Sequence, residues 1–285
     1  MKTETSAGSS KKKKRSVKYY AFEGVRKIIM LIALCVFTYS CYQLANIYLD
    51  YQDGDEAYGD MEEQFLIPNI VASNDADEVE TDMYGNEITA GTEVAEFKFD
   101  YDALLALNSS ALGWIKLDDV LSYPIVQGMD NTYYLTHNVA HQKNKNGAIF
   151  VDYRVIGGLD AQNCIIYGHD MLNDSMFGSL LYYQKESYYK EHKTFEIYVG
   201  KDLYKYHVFA TYLTDAVGYT YSYNFQSNEE YEAYIKDCLS RRLYDTDVGE
   251  NVTVNDKIIT LSTCERRTSD RRFIVQLVRG EKVEE

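Results

Sequence analysis

A cysteine and a histidine, each at the end of an apolar run, are the residues best suited to covalent chemistry. The segment KIITLSTC predicts a β-strand ending at Cys264, and the polar loop ERRTSDR separates it from a second predicted strand, FIVQLV. The segment IIYGHDM places His169 just beyond another strand and a glycine turn. A histidine can take or give a proton near neutral pH, so such a pair at converging loop positions is the minimum for covalent acyl transfer.

Arginines follow the cysteine closely. If the two strands pair as a hairpin, the register places Arg272 beside Cys264. Arg266, Arg267 and Arg271 add positive potential nearby, and cationic neighbours favour the reactive thiolate. Taken alone, a cysteine at a strand end is more often structural than catalytic. The arginines and the histidine therefore carry the prediction of a nucleophile.

The other cysteines and histidines give weaker indications. Cys164 lies inside a predicted strand and Cys238 on the apolar face of a predicted helix, and both are interpreted as small buried core residues. His137 and His141 lie four residues apart, but no third ligand accompanies them, so a metal site is disfavoured. The sequence indicates no cofactor.

An uncharged apolar run extends from Ile28 to Leu49, about the 20 residues that a helix needs to cross a bilayer. It is longer than the apolar region of a cleaved signal peptide, and no small-residue cleavage site follows it. Lysines and arginines crowd the stretch before it, which predicts a cytoplasmic N-terminus and an extracellular remainder. The formal net charge of −15 argues against nucleic-acid binding by a folded face.

The composition changes three times along the chain. Between Asp50 and Glu96 there are fifteen acidic residues and no lysine or arginine. This composition is typical of a self-repelling, solvated spacer, although part of it could be helical. The predicted segments are a basic cytoplasmic tail (1–27), a transmembrane signal-anchor (28–49), an acidic spacer (50–96) and a folded catalytic domain (97–285).

The folded segment is predicted to be mainly β. Eight short apolar runs with little helix between most of them indicate a mainly antiparallel barrel or sandwich. Ser227 and Glu230 form a capping box that opens a predicted helix over 228–244. The predicted strands are Trp114–Leu117, Tyr123–Gln127, Ala148–Asp152, Cys164–Tyr167, Thr194–Val199, Tyr204–Thr214, Lys257–Thr263 and Phe273–Val278.

These motifs resemble those of the sortases of Gram-positive bacteria, and within them class B. TLSTC at 260–264 resembles the TLxTC signature with the class B serine, and RFIV at 272–275 resembles the arginine that opens the last strand. The segments ALGWIKL, SYPIVQGMDNTYYLTHN, GAIFVDYR and IIYGHDM follow the family's order. The resemblance covers roughly residues 99–278. It implies an eight-stranded sortase-type β-barrel with N-terminal helices and a long helix inserted before the cysteine strand.

The resemblance also implies roles for five residues. Cys264 is the expected nucleophile, His169 the acid/base, and Arg272 the group that positions the substrate and supports the oxyanion. Arg272 is preferred to Arg271 because it directly precedes the apolar strand. Ser262 and Thr263 are expected to help shape the peptide groove.

The expected reaction is a transpeptidation at the outer face of the membrane. A sorting signal of an exported protein is cleaved after threonine through a thioester, and the protein is joined to an amine of a cell-wall precursor. A pilin polymerase with the same chemistry, and a non-catalytic binding module on the same barrel, stay open as alternatives. The cysteine transpeptidases that crosslink peptidoglycan stems are disfavoured, because their motif needs His and Gly where Ser262 and Thr263 stand.

Overall fold

The computed structural model describes residues 17–68, 80–81, 87–88, 97–265 and 268–284. Its α-helices are α1 (Val17–Phe65), α2 (Tyr101–Leu107), α3 (Glu186–Glu191) and α4 (Asn228–Arg241). Short 3₁₀ helices cover Tyr133–Leu135, Gly158–Asp160, Gly178–Gln184, Tyr219–Tyr221 and Gly249–Asn251. Four short strands precede α2, namely β1 (Leu66–Pro68), β2 (Glu80–Thr81), β3 (Glu87–Ile88) and β4 (Phe97–Phe99).

Eight further strands close into a barrel. They are β5 (Ala111–Leu117), β6 (Leu121–Gln127), β7 (Ile149–Val151), β8 (Asn163–Tyr167), β9 (Thr194–Val199), β10 (Asp202–Asp215), β11 (Ile258–Glu265) and β12 (Thr268–Lys282). Their order around the barrel is β10-β12-β11-β8-β7-β6-β5-β9. Each predicted strand coincides with one of them, so the eight-stranded barrel is confirmed.

Two neighbouring pairs in the barrel are parallel, namely β6 with β7 and β8 with β11. Parallel neighbours need a long crossover, whereas antiparallel neighbours can be joined by a tight turn. The crossover from β8 to β11 includes β9, β10 and α4. The ends of β8 and β11, which are far apart in sequence, therefore lie at one edge of the barrel.

Helix α4 covers the outside of the barrel, as its apolar spacing predicts. Its Tyr231, Tyr234, Ile235 and Cys238 are buried against β10, β11 and β12. The Ser227 side chain accepts a hydrogen bond from the backbone N–H of Glu230 at 3.3 Å, which caps the helix. The long helix before the cysteine strand and the core position of Cys238 are both confirmed.

The first part of α1 forms a compact unit up to Leu49. The helix contains an 18-residue window with mean hydropathy 1.9, and by length and composition it can cross a membrane. Its large apolar side chains are exposed, as Phe37 and Leu44 illustrate. This exposure suits a segment that has lipid as its solvent.

The predicted acidic spacer is in part a packed element. Residues up to Phe65 continue α1, and β1 then pairs with β4. Tyr58, Met61 and Phe65 recur at helical spacing and are buried in the main core. The Tyr58 hydroxyl donates to the Gly147 carbonyl oxygen at 2.5 Å. This part is therefore not a solvated spacer, and most of the predicted segment beyond Pro68 lies outside the described residues.

We expect a chain that begins at residue 97 to be much less stable than one that begins at residue 50. The shorter chain lacks the buried side chains of Tyr58, Met61 and Phe65, each of which contributes about 1.5–3 kcal/mol. The expected loss in free energy of unfolding is about 5 kcal/mol by the same relation. Urea unfolding of the two chains measures it, and equal midpoints with equal slopes would contradict the packing of this helix.

Candidate active site

Three neighbouring strands bring the predicted residues to one rim of the barrel. In the parallel pair β8–β11, Ser262 lies opposite Tyr167, and Gly168 N–H donates to the Ser262 carbonyl oxygen at 3.3 Å. In the antiparallel pair β11–β12, Cys264 lies opposite Arg272, the pairing that the hairpin register predicts. Adjacent strands are about 4.8 Å apart, so His169, one residue past Gly168, lies beside the end of β11.

Strand alternation places position 272 on the outer face of the barrel. Ile258 on β11 and Ile274 on β12 pack against α4, which lies outside the barrel. Arg272 is two residues from Ile274, so it lies on that same face. The structure describes the backbone of Cys264, whereas Arg266 and Arg267 lie outside the described residues.

A backbone carbonyl orients His169. Its Nε2 lies 2.7 Å from the carbonyl oxygen of Leu135. A carbonyl oxygen can only accept, so Nε2 carries a proton and donates it in this contact. Nδ1 is then the ring nitrogen that can exchange a proton. Leu135 was not predicted from the sequence, because any residue type supplies a backbone acceptor and leaves no signal in the side chains.

The two adjacent arginines differ in position. In the strand register, Arg272 lies opposite Cys264 across the hairpin, whereas Arg271 lies opposite Asp215 at the end of β10. Adjacent residues of a strand point to opposite faces, so Arg271 and Arg272 differ in direction. The Arg272 Nη1 donates to the carbonyl oxygen of Arg271 at 3.0 Å. This register favours Arg272 as the cationic neighbour of Cys264.

Ser262 and Thr263 lie beneath the rim and not on it, because each is only 1% exposed. The Ser262 hydroxyl lies 3.0 Å from the Tyr221 hydroxyl, and the Tyr221 ring stacks on Tyr167. The Thr263 hydroxyl is buried and has no hydrogen-bond partner among the described residues. Their expected contribution to a peptide groove is therefore indirect, through the packing that supports the end of β11.

A buried carboxylate that hydrogen-bonds to Tyr167 was not predicted from the sequence. Asp152 is fully buried and accepts hydrogen bonds from Arg154 Nη2 at 2.7 Å and from the Tyr167 hydroxyl at 2.9 Å. Burial raises the pKa of Asp152, but the hydrogen bonds from Arg154 and Tyr167 outweigh it and hold that pKa below its usual value. The segment VDYR contains these residue types but does not reveal that the carboxylate is buried.

We expect Asp152→Asn to lower the free energy of unfolding by about 1–2 kcal/mol at neutral pH, because a charge-assisted acceptor is lost while Arg154 stays partly solvated. The pKa of Asp152 is depressed in the folded state, so its stabilisation is present above the unfolded-state pKa. It is lost as pH falls through the folded-state pKa. Urea unfolding at pH values from neutral into acid should show that the difference in free energy of unfolding between wild type and variant becomes smaller. A difference that does not depend on pH would contradict this.

Comparison with known proteins identifies the family. The Sortase domain family model matches residues 121–279. Sortase B of Listeria monocytogenes serovar 1/2a is 31% identical over 253 residues, which are 88% of this chain and 94% of that protein. The crystal structure of B. anthracis sortase B in complex with AAEK1 superposes with TM-score 0.64 at 28% identity, covering 82% of this chain and 100% of that one. The Staphylococcus aureus sortase B–substrate complex gives TM-score 0.59 at 32% identity, covering 64% and 84%.

A closed barrel of this topology, with a family match over more than half of the chain, defines a transpeptidase of the cysteine type. The chain belongs to the sortase family, and its relatives are class B sortases. The resemblance read from TLSTC and RFIV is thereby confirmed.

Proposed function

We propose that this chain cleaves a sorting-signal peptide after a threonine and transfers the acyl group to an amine of a cell-wall precursor. The observation that carries the proposal is the strand register. It pairs Cys264 with Arg272 in one hairpin, while the parallel neighbour β8 leads directly to His169 at the same rim. The solved substrate complex of the S. aureus relative supports a substrate site on this fold.

The proposed reaction has two acyl-transfer steps. The Cys264 thiolate attacks the backbone carbonyl carbon of the threonine. The C–N bond to the next residue then breaks as His169 gives a proton to the leaving amine. A thioester then links substrate and enzyme. The acceptor amine attacks that thioester, its proton passes to His169, and the C–S bond breaks to release the thiolate. Arg272 and a backbone N–H stabilise the oxyanion in both steps.

The proposed arrangement in the cell follows from the first part of the chain. Residues 28–49 cross the membrane, the basic residues 1–27 stay in the cytoplasm, and the barrel faces outward. Exported proteins and lipid-linked cell-wall precursors arrive at this same outer face. Anchoring therefore keeps the enzyme where its two substrates meet.

The test is incubation of the purified chain with a library of threonine-containing peptides and an amine acceptor such as triglycine. We expect cleavage after threonine, a ligated product that increases with acceptor concentration, and a protein mass raised by the acyl group when acceptor is omitted. A mass that never changes would favour the non-catalytic binding module. Preference for a lysine side chain of a pilin subunit over triglycine would favour the pilin polymerase.

A further inference from the structure

A cavity of about 460 Å³ opens between the last turns of α1, the turn that joins β5 to β6, and the loop that follows His169. Pockets of this size hold small ligands or parts of peptides. Five carboxylates line it, whereas no lysine or arginine does so among the described residues. The acidic lining residues are Asp55, Glu62, Asp118, Asp119 and Asp174.

The topology places this cavity at the same rim as His169. Strand β8 runs toward the rim, β7 is antiparallel to β8, and β6 is parallel to β7, so β6 begins there. The loop after His169 folds back through a bridge between Asp170 and Met176, and the Met176 N–H donates to the Tyr123 hydroxyl on β6. Two to three strand spacings separate β8 from the turn, which is about 10–15 Å.

The carboxylates give the cavity a strongly negative potential. Asp118 contacts Nδ1 of His192 at 2.8 Å, and Asp55 accepts from the Asn173 side chain at 2.7 Å. Burial, with the nearby charges of Asp55 and Glu62, raises the pKa of Tyr123 to about 12. A cation that enters this space meets opposite charge on three sides, from the helix, the turn and the loop.

A buried hydroxyl supplies an independent indication of a ligand. Ser179 lines the cavity and is only 2% exposed, and its Oγ has no hydrogen-bond partner among the described residues. Buried polar groups are nearly always hydrogen-bonded in native proteins. An N–H donor held in the cavity would give this oxygen its partner.

The spacing of the acidic groups favours an organic cation over a metal ion. In the described part of the chain, no group of three or more histidine, cysteine or acidic side chains lies close enough to hold a metal. Dispersed carboxylates suit an extended ligand with several N–H donors, such as lysine ammonium or arginine guanidinium groups.

We propose that this acidic cavity binds a cationic segment of a peptide substrate. The inference rests on the proposed function, because the cation belongs to one of the two peptides that the reaction joins, the sorting-signal donor or the amine acceptor. The loop that follows His169 is the physical connection, since its residues Asn173, Asp174 and Ser175 line the cavity. Binding there would hold the peptide within reach of the catalytic rim.

The first test measures binding of trilysine to the full chain in neutral detergent at low salt, without any catalytic readout. We expect Glu62→Gln/Asp119→Asn to weaken binding about tenfold, because two of the five nearby charges are removed. The matched control Glu196→Gln/Glu284→Gln removes two exposed acidic charges outside the cavity and should leave the affinity unchanged. Ser179→Ala should weaken binding less, by about threefold for one hydrogen bond. Equal affinities in cavity and control variants, or no binding to wild type, would overturn the proposal.

The second test identifies the source of the cation in the transpeptidation assay. The cavity variant should raise the KM of only one substrate, the donor or the acceptor, with kcat unchanged, and that substrate carries the cation. If neither KM changes, the cavity does not serve a substrate and the proposal fails. An inactive wild-type chain would refute the proposed function, while the trilysine measurement would still decide whether the cavity binds cations.

Discussion

Cys264→Ala is expected to abolish peptide transfer while leaving the barrel folded. In the proposed reaction the sulfur of Cys264 forms the covalent bond to the substrate, and alanine offers no nucleophile. Loss of the nucleophile in a covalent enzyme costs on the order of 10⁶-fold in kcat, so activity should fall to background. The assay is acceptor-dependent ligation, with thermal unfolding as the measure of an intact fold. Ligation that persists in the variant would refute the assignment.

The buried cysteines are matched controls for Cys264. Burial raises the pKa of the Cys164 thiol, and it raises the pKa of Cys238 to about 11, so neither thiol is a reactive thiolate at neutral pH. Cys238→Ala should therefore keep its transfer activity, with lower stability from the cavity that the change leaves. A thiol-reactive probe should label one more site in the wild type than in Cys264→Ala. Equal labelling of the two proteins would revive the non-catalytic alternative.

Arg272→Ala is expected to reduce kcat by about 10²–10³-fold, the usual cost of removing one oxyanion donor. Arg272 lies directly opposite Cys264 in the β-ladder, so its guanidinium can reach the charge that develops on the attacked carbonyl. Arg272→Lys should recover only part of the rate, because an ammonium does not reproduce the fixed fork of guanidinium donors. Steady-state kinetics with saturating donor and acceptor measures the effect.

Arg271→Ala is the control for Arg272, since it removes the same charge one residue away. Arg271 pairs with Asp215 and has the opposite alternation, so its loss should change kcat by less than about threefold, as for other exposed charges away from the reacting atoms. If the large loss occurred with Arg271→Ala and the small one with Arg272→Ala, the role would pass to Arg271. Comparable large losses would show that the pair acts as a single cationic patch.

Local patterns were enough to predict the elements of the barrel. Runs such as KIITLSTC are rich in β-branched residues and bounded by polar turns, and these features act within a few residues of the chain. The helix α4 was predictable for the same reason, because its capping box and apolar stripe are both local. The hairpin register between Cys264 and Arg272 followed from a short connection between adjacent strands.

The acidic composition of the residues after the apolar segment 28–49 did not reveal their role in the core. Their acidic content predicts a solvated spacer, yet Tyr58, Met61 and Phe65 form a helical stripe that packs on the core. The acidic side chains of the same helix include Asp55 and Glu62, which line the cavity. A charged segment can fold when one face of it has a partner, and nothing in its own composition identifies that partner.

The sequence by itself determined the strands, the capped helix, the apolar segment 28–49 and the residue types available for acyl transfer. Each depends on propensities and periodicities that operate over a few residues. Only the tertiary structure decided that β8 lies parallel to β11, that the Leu135 carbonyl orients His169, and that Asp152 is buried. These features join segments separated by tens of residues. Their free energy comes from closing the barrel and burying its surfaces, and no single stretch of the chain specifies how those surfaces meet.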